Sequence, residues 1–405
     1  MSHPSGGPRP ARGRATELVR GGLARSEFGE TSEALFLNSG FVYASAEEAE
    51  ARFKGDADGY VYSRYGNPTV AMFEERLALL EGAEAAFATA SGMAAVFASM
   101  MCRLRAGDRV VGSRALFGSC FFILTELLPR YGIEVELVDG PDLDQWARAL
   151  GRPTAAVFFE TPANPTLELI DIAAVVALAH DAGATVIVDN VFSTPLLQRP
   201  LELGADIVVY SATKHIDGQG RCLGGAVLST RAFRDDQLMP FMRHTGPSLS
   251  PFNAWVLLKG LETLELRVER EQATARTIAD ALAGHAQVRR VLYPEREDHP
   301  QVALARRQMA GGGTVVSFEV AGGKRAAFDV LNALRIIDIS NNLGDTKSLI
   351  THPATTTHRA MGEEGRARIG VSDDLVRVSA GLEDAADLVG DLVQALDHAR
   401  ARRAA

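Results

Sequence analysis

Cysteine is scarce, with Cys102, Cys120 and Cys222 the only three in 405 residues. There is no CxxC pair and no zinc-ligand spacing. An odd, sparse count argues against a disulfide framework and fits a reducing cytoplasm. Long apolar runs are missing: none approaches the roughly 20 residues that span a bilayer, so no membrane segment is expected. Basic residues are outnumbered 42 to 51, for a net charge of −9. That argues against a general nucleic-acid binder and leaves only a local basic patch open. Residues 1–16 contain no acid and lack the apolar core of a secretory signal. Their Pro, Gly, Ser and Arg read as a disordered tail, with an organelle transit peptide as the second reading.

What is present is ordinary globular sequence, 46% hydrophobic and long enough for two domains. We expect a tail and N-terminal arm over 1–60, a large domain over 61–255 and a smaller one over 256–405. A short helix starts at Thr16, and 26–60 reads as irregular. Pro68 suits the first position of a helix that stops at Gly82. From 84 to 230 apolar β-branched runs alternate with helical periodicity. That predicts an α/β fold with a mostly parallel sheet covered on both faces. One long helix over 250–285 leads to a mixed C-terminal part containing a strand at 314–320 and a helix at 324–334. A further strand is expected at 375–379, and a last helix near 383–402. On the alternating strand Leu375-Val-Arg377-Val-Ser379, Arg377 faces away from Val376 and Val378.

The organising stretch is Asp206-Ile-Val-Val-Tyr-Ser211-Ala-Thr213-Lys214-His215. A buried strand ends in two hydroxyls and a lysine, with a glycine-rich segment behind. A second strand, Thr185-Val-Ile-Val-Asp189, ends in an acid. Singly, these are a solvated lysine and a turn or capping residue. Together they suit pyridoxal 5'-phosphate (PLP): the hydroxyls meet phosphate, the lysine takes the aldehyde carbon and the acid takes the ring nitrogen. Ser91-Gly92-Met93-Ala94 opens a helix after a strand. Its free N–H groups suit an anion, although a plain cap by Ser91 explains it equally.

The motif set resembles the Cys/Met-metabolism family of fold-type I PLP enzymes, over about residues 17–398. The residues that carry the likeness are Tyr62-Ser-Arg64-Tyr-Gly-Asn-Pro-Thr69, Ser91-Gly-Met-Ala-Ala95 and Glu160-Thr-Pro-Ala-Asn-Pro165, with Val188-Asp189-Asn190, Tyr210-Ser-Ala-Thr-Lys-His215 and Arg377-Val-Ser-Ala-Gly-Leu-Glu383. Within that family the chain is most similar to O-succinylhomoserine sulfhydrylases, through Leu116-Phe-Gly-Ser119, His215-Ile-Asp-Gly-Gln-Gly220, Arg243-His-Thr-Gly-Pro247 and Ile339-Ser-Asn-Asn-Leu-Gly-Asp345. The resemblance implies roles. Lys214 links to the cofactor and moves protons, and Asp189 pairs with the ring nitrogen. Gly92, Met93, Ser211 and Thr213 hold the phosphate, and Asn164 lies beside the ring. Tyr62 and Arg64 reach the phosphate of a neighbouring subunit's cofactor. The site then needs at least a dimer, and the family suggests a tetramer. Arg377 takes the substrate α-carboxylate.

Two positions depart from the family. Phe117 stands where many members stack a tyrosine on the ring. It can stack but cannot move a proton, so Tyr62, Lys214 or a water must supply any such step. Asn342 stands where a serine is usual, and its amide is expected to meet the substrate carboxylate. The implied reaction is γ-replacement, in which O-succinylhomoserine and sulfide give homocysteine and succinate in methionine biosynthesis. Cystathionine γ-synthase, with cysteine as acceptor, is the first alternative, and O-acetylhomoserine sulfhydrylase is a second. A γ-lyase or a PLP-binding protein without turnover fits less well.

Overall fold

The computed structural model describes residues 12–404. Most of the tail expected over 1–16 lies outside them. From Arg14 the chain is helical, in α1 (Arg14–Arg20). The irregular reading of 26–60 misses a second helix, α2 (Ala46–Lys54). Ser45 caps it by accepting the Glu48 N–H, and Gly55 ends it at φ 82°. In α3 (Pro68–Glu81) the Asn67 side chain accepts the Thr69 N–H, and Pro68 sits at the first turn, where a missing N–H costs nothing.

Seven strands form the main sheet: β1 (Ala85–Thr89), β2 (Arg109–Ser113), β3 (Glu134–Val138), β4 (Ala156–Glu160), β5 (Thr185–Asp189), β6 (Ile207–Tyr210) and β7 (Gly225–Ser229). Their order is β1-β7-β6-β5-β4-β2-β3. Neighbours from β6 across to β3 are parallel, and β7 runs antiparallel to both β1 and β6. β7 was not expected from the sequence. The alternation expected of a two-sided sheet is present in detail. Ala156 and Phe158 of β4 belong to one apolar core, and Val157 and Phe159 to the core on the opposite face.

A second sheet has the order β10-β11-β12-β9-β8, with β8 (Val288–Leu292), β9 (Val315–Val320), β10 (Asp338–Ile339), β11 (Leu349–Thr351) and β12 (Leu375–Ser379). All its neighbours are antiparallel except β10 and β11. The long helix expected over 250–285 is two, Pro251–Leu261 and Leu264–Ala283. Leu264 and Val268 of the second helix pack in the core beneath the main sheet, whereas Ala275, Ile278 and Leu282 pack under the second sheet. That helix therefore ties the two cores together. Among the described residues, no helix is long and apolar enough to cross a membrane.

Candidate active site

The strands β4, β5 and β6 end side by side, and the chain leaves them as Glu160, Asp189 and Ser211. The carboxyl edge of a parallel sheet is where an open α/β fold leaves a crevice. Here the crevice is a cavity of about 260 Å³, lined by Gly92, Met93, Phe117, Asn164, Asp189, Ser211, Thr213, Lys214 and Arg377. Nine of the twelve residues predicted for the site therefore meet in one place.

One end is built to take an anion. Helix α4 (Gly92–Met101) starts at Ser91, whose hydroxyl accepts the Ala94 N–H and whose carbonyl accepts that of Ala95. The N–H groups of Gly92 and Met93 in the first turn have no intrahelical acceptor, as at any helix start. Gly92 has no room for a side chain. A Cβ there would lie 2.6 Å from Ser211 Cβ and 2.8 Å from its Cα. Thr213 Oγ1 donates to the Gly224 carbonyl and accepts the Gly224 N–H, which fastens the glycine-rich segment to the lysine loop.

Lys214 lines the cavity, and its Nζ donates to Asn342 Oδ1 at 2.5 Å. Burial, and then the charge of Arg377, lowers its pKa to about 8. Asn342 is thus engaged with the lysine, and its neighbours Asn341 and Leu343 line the cavity in its place. The loop carrying them presses on the lysine loop: a Cβ on Gly344, at φ 68°, would fall 2.7 Å from His215 N. Thr346 N–H also donates to the Gly218 carbonyl.

Asp189 lies at the floor, holding the Val191 N–H at 3.1 Å. Burial raises its pKa, and burial with the charge of Asp189 raises that of adjacent Glu160. Arg377 comes from β12 and is 1% exposed. It donates to Asn164 Oδ1 at 2.8 Å and to the Asn341 carbonyl at 2.9 Å, and its Nε has no partner. Burial lowers its pKa to about 10, so it remains a cation at neutral pH. A buried guanidinium with a spare donor, facing a cavity, suits a carboxylate.

Tyr62 and Arg64 are elsewhere. They line an open hollow with Leu37, Ser248 and Pro251, and the Arg64 guanidinium donates to the Arg243 carbonyl. Arg64 lies 4.8 Å from the Tyr65 ring centre, and Arg243 lies 4.9 Å from it. Neither Tyr62 nor Arg64 lines the Lys214 cavity of its own chain. Glu160, Cys120, Phe192 and Asn341 also line that cavity and were given no role from the sequence. Glu160 had the same signal as Asp189, an acid ending an apolar strand.

The residues fit PLP. Gly92, Met93 and Ser211 offer donors at the anion end, and Asp189 and Lys214 line the same cavity. Comparison with known proteins agrees. The chain is 62% identical to an O-succinylhomoserine sulfhydrylase of Mycobacterium tuberculosis over 389 residues, 95% of each chain. It is 49% identical to an O-succinylhomoserine sulfhydrylase of Pseudomonas aeruginosa over 381 residues, 94% of each. A cystathionine gamma synthase from Xanthomonas oryzae pv. oryzae, solved in complex with aminoacrylate and cysteine, superposes with a TM-score of 0.92. It shares 36% identity and covers 97% of this chain and 100% of its own. The model for the Cys/Met metabolism PLP-dependent enzymes matches residues 15–397, and the chain belongs to that family.

Proposed function

We propose that the chain is a PLP-dependent γ-replacement enzyme that makes homocysteine from O-succinylhomoserine and sulfide. The observation that carries this reading is the shared cavity. A partly buried lysine, a strand-end carboxylate, a helix N-terminus and an arginine with a free donor all open onto it. The identity of 62% with a named sulfhydrylase favours sulfide as acceptor over cysteine. The cystathionine synthase at 36% keeps cysteine as the second reading.

When bound, PLP supplies an electron-poor ring that withdraws electrons from the substrate's α-carbon. The chain's own residues do the rest. Gly92 and Met93 N–H and Ser211 Oγ would hold the phosphate, while Thr213 fixes the loop behind it. The ionised Asp189 would keep a proton on the ring nitrogen. Arg377 binds the α-carboxylate through its free edge, and Asn164 sets that guanidinium at an angle to the cavity. Lys214 Nζ, at a pKa near neutral, takes the α-proton and returns a proton at the end. Asn342 Oδ1 holds that amine when it is free. Phe117 lines the cavity and would stack on the ring with no proton to exchange.

We further propose that 61–255 carries the cofactor and that 256–405 brings Arg377. Tyr62 and Arg64 serve the cavity of a second copy in a dimer or tetramer. The chain works in the cytoplasm, where its three unpaired cysteines stay reduced. The deciding assay offers O-succinyl-, O-acetyl- and O-phosphohomoserine to the purified enzyme with sulfide or with cysteine. Homocysteine and succinate from the succinyl ester and sulfide are expected. Cystathionine formation with cysteine, and no turnover with sulfide, would sink the reading.

A further inference from the structure

Glu160 is the last residue of β4 and lies level with Asp189 on β5. It is 5% exposed. Its two oxygens face different loops. Oε2 accepts the N–H of Phe117 at 2.9 Å, on the segment that follows β2. Oε1 accepts the N–H of Asn164 at 2.7 Å, on the loop that follows β4 itself. Asn164 in turn holds Arg377. One buried carboxyl group therefore fastens the cavity-lining Phe117 and the arginine-holding Asn164 to the same strand end.

An acid is a costly choice at this place. Cys120 Sγ and carboxylate oxygens of Glu160 and Asp189 lie within 4.8 Å of one another. Two like charges side by side out of water repel, and each loses hydration. The other charged groups opening onto the cavity are Lys214 and Arg377. The geometry accounts for the choice. Two backbone N–H groups arrive from two directions, and the two oxygens of a carboxyl group present an acceptor to each. A glutamine would set its NH₂ against one of them.

We infer that Glu160 is a positioning residue: it clasps the Phe117 and Asn164 loops together, and so fixes both the cover over the cofactor ring and the bearing of Arg377 on the substrate. This deepens the proposed function, because the second effect concerns the α-carboxylate of that substrate. The first effect concerns PLP alone.

The test uses the full-length enzyme as wild type, Glu160→Gln and Glu160→Asp. Each is stripped of cofactor and titrated with PLP, followed by its visible absorbance. Then kcat and KM for O-succinylhomoserine are measured on the reloaded protein. Leaving one buried backbone N–H without an acceptor predicts a PLP Kd raised roughly ten- to hundred-fold in Glu160→Gln. KM rises by a similar factor, with kcat at saturation of both falling less. Glu160→Asp falls between, because its shorter stem reaches only one loop. A folded Glu160→Gln protein with unchanged Kd and unchanged KM overturns the inference. So does a lowered Tm with both constants intact, which is the mark of a residue that only fills space. If Glu160→Gln does not fold, the same two constants in Glu160→Asp decide. The PLP titration involves no substrate, so it separates failure of the clasp from failure of the assigned reaction.

Discussion

Lys214 illustrates what a single residue contributes once its surroundings are known. Its place after a strand and two hydroxyls was legible in the sequence. Its contact with Asn342, 128 positions away, was not, because no local pattern encodes a loop folding back from the second sheet. The same holds for Glu81. It ends α3 with 0% exposure, accepts the Tyr210 hydroxyl proton at 2.5 Å and leaves its other oxygen unpartnered. Tyr210 also accepts from Asn190, next to Asp189, so this acid stands behind the cofactor wall. Burial raises the Glu81 pKa from 4.5 to about 8.

The sign of its effect on stability follows from linkage. Between about 4.5 and 8 the native state keeps the proton and the unfolded chain has lost it, so stability falls as pH rises through that window. Below 4.5 both states are protonated and nothing is lost. Glu81→Gln imitates the protonated acid. We expect the cofactor-free variant to match wild type near pH 5 and to keep a higher Tm than wild type near pH 8, by a few degrees. Thermal melts at the two pH values measure this, and parallel pH dependence in the two proteins would refute it.

At the scale of elements, the parallel strands were the most readable feature, because burial on both faces leaves near-continuous apolar runs such as Ala156-Val-Phe-Phe159. β7 escaped because it begins with Gly225 and follows a glycine-rich turn. The helix break near Glu262 and Thr263 escaped because leucines continue across it, so that Gly260 in the turn before it read as part of one helix. Gly92 is the element-scale position with the clearest consequence. Its missing side chain lets the α4 start meet the end of β6 at Ser211, which brings the two halves of the anion site together. A Cβ there must push α4 away, since its nearest neighbours include Ser211 Cα and Cβ. Gly92→Ala is therefore expected to fold, because it lies at a helix start, yet to bind PLP at least about tenfold more weakly. Equilibrium titration of the cofactor-free variant checks this, and wild-type affinity would show that the anion end tolerates the shift.

For the whole molecule, the N-terminal segment is the part that a single chain leaves unexplained. Phe28 is 86% exposed, Leu37 67%, Val42 93% and Phe53 68%. A second copy covering that segment, as proposed above, would take these apolar groups out of water. Tyr62 and Arg64 sit at its end, on a hollow separate from the Lys214 cavity. The family resemblance carried by Tyr62-Ser-Arg64 assigned the two residues to a neighbouring copy's site, an assignment that packing between copies decides. If they complete a second copy's cavity, mutational defects must be shareable. A chain with Lys214→Ala and a chain with Arg64→Ala each make only damaged sites. In a hybrid with two-fold symmetry, one cavity combines the intact Lys214 of one chain with the intact Arg64 of the other, and the second cavity carries both defects. Unfolding and refolding the two variants together is expected to restore part of the wild-type turnover, while either refolded alone stays impaired. Mixing that yields no gain, with hybrids verified by native mass, would place Arg64 in the service of its own chain.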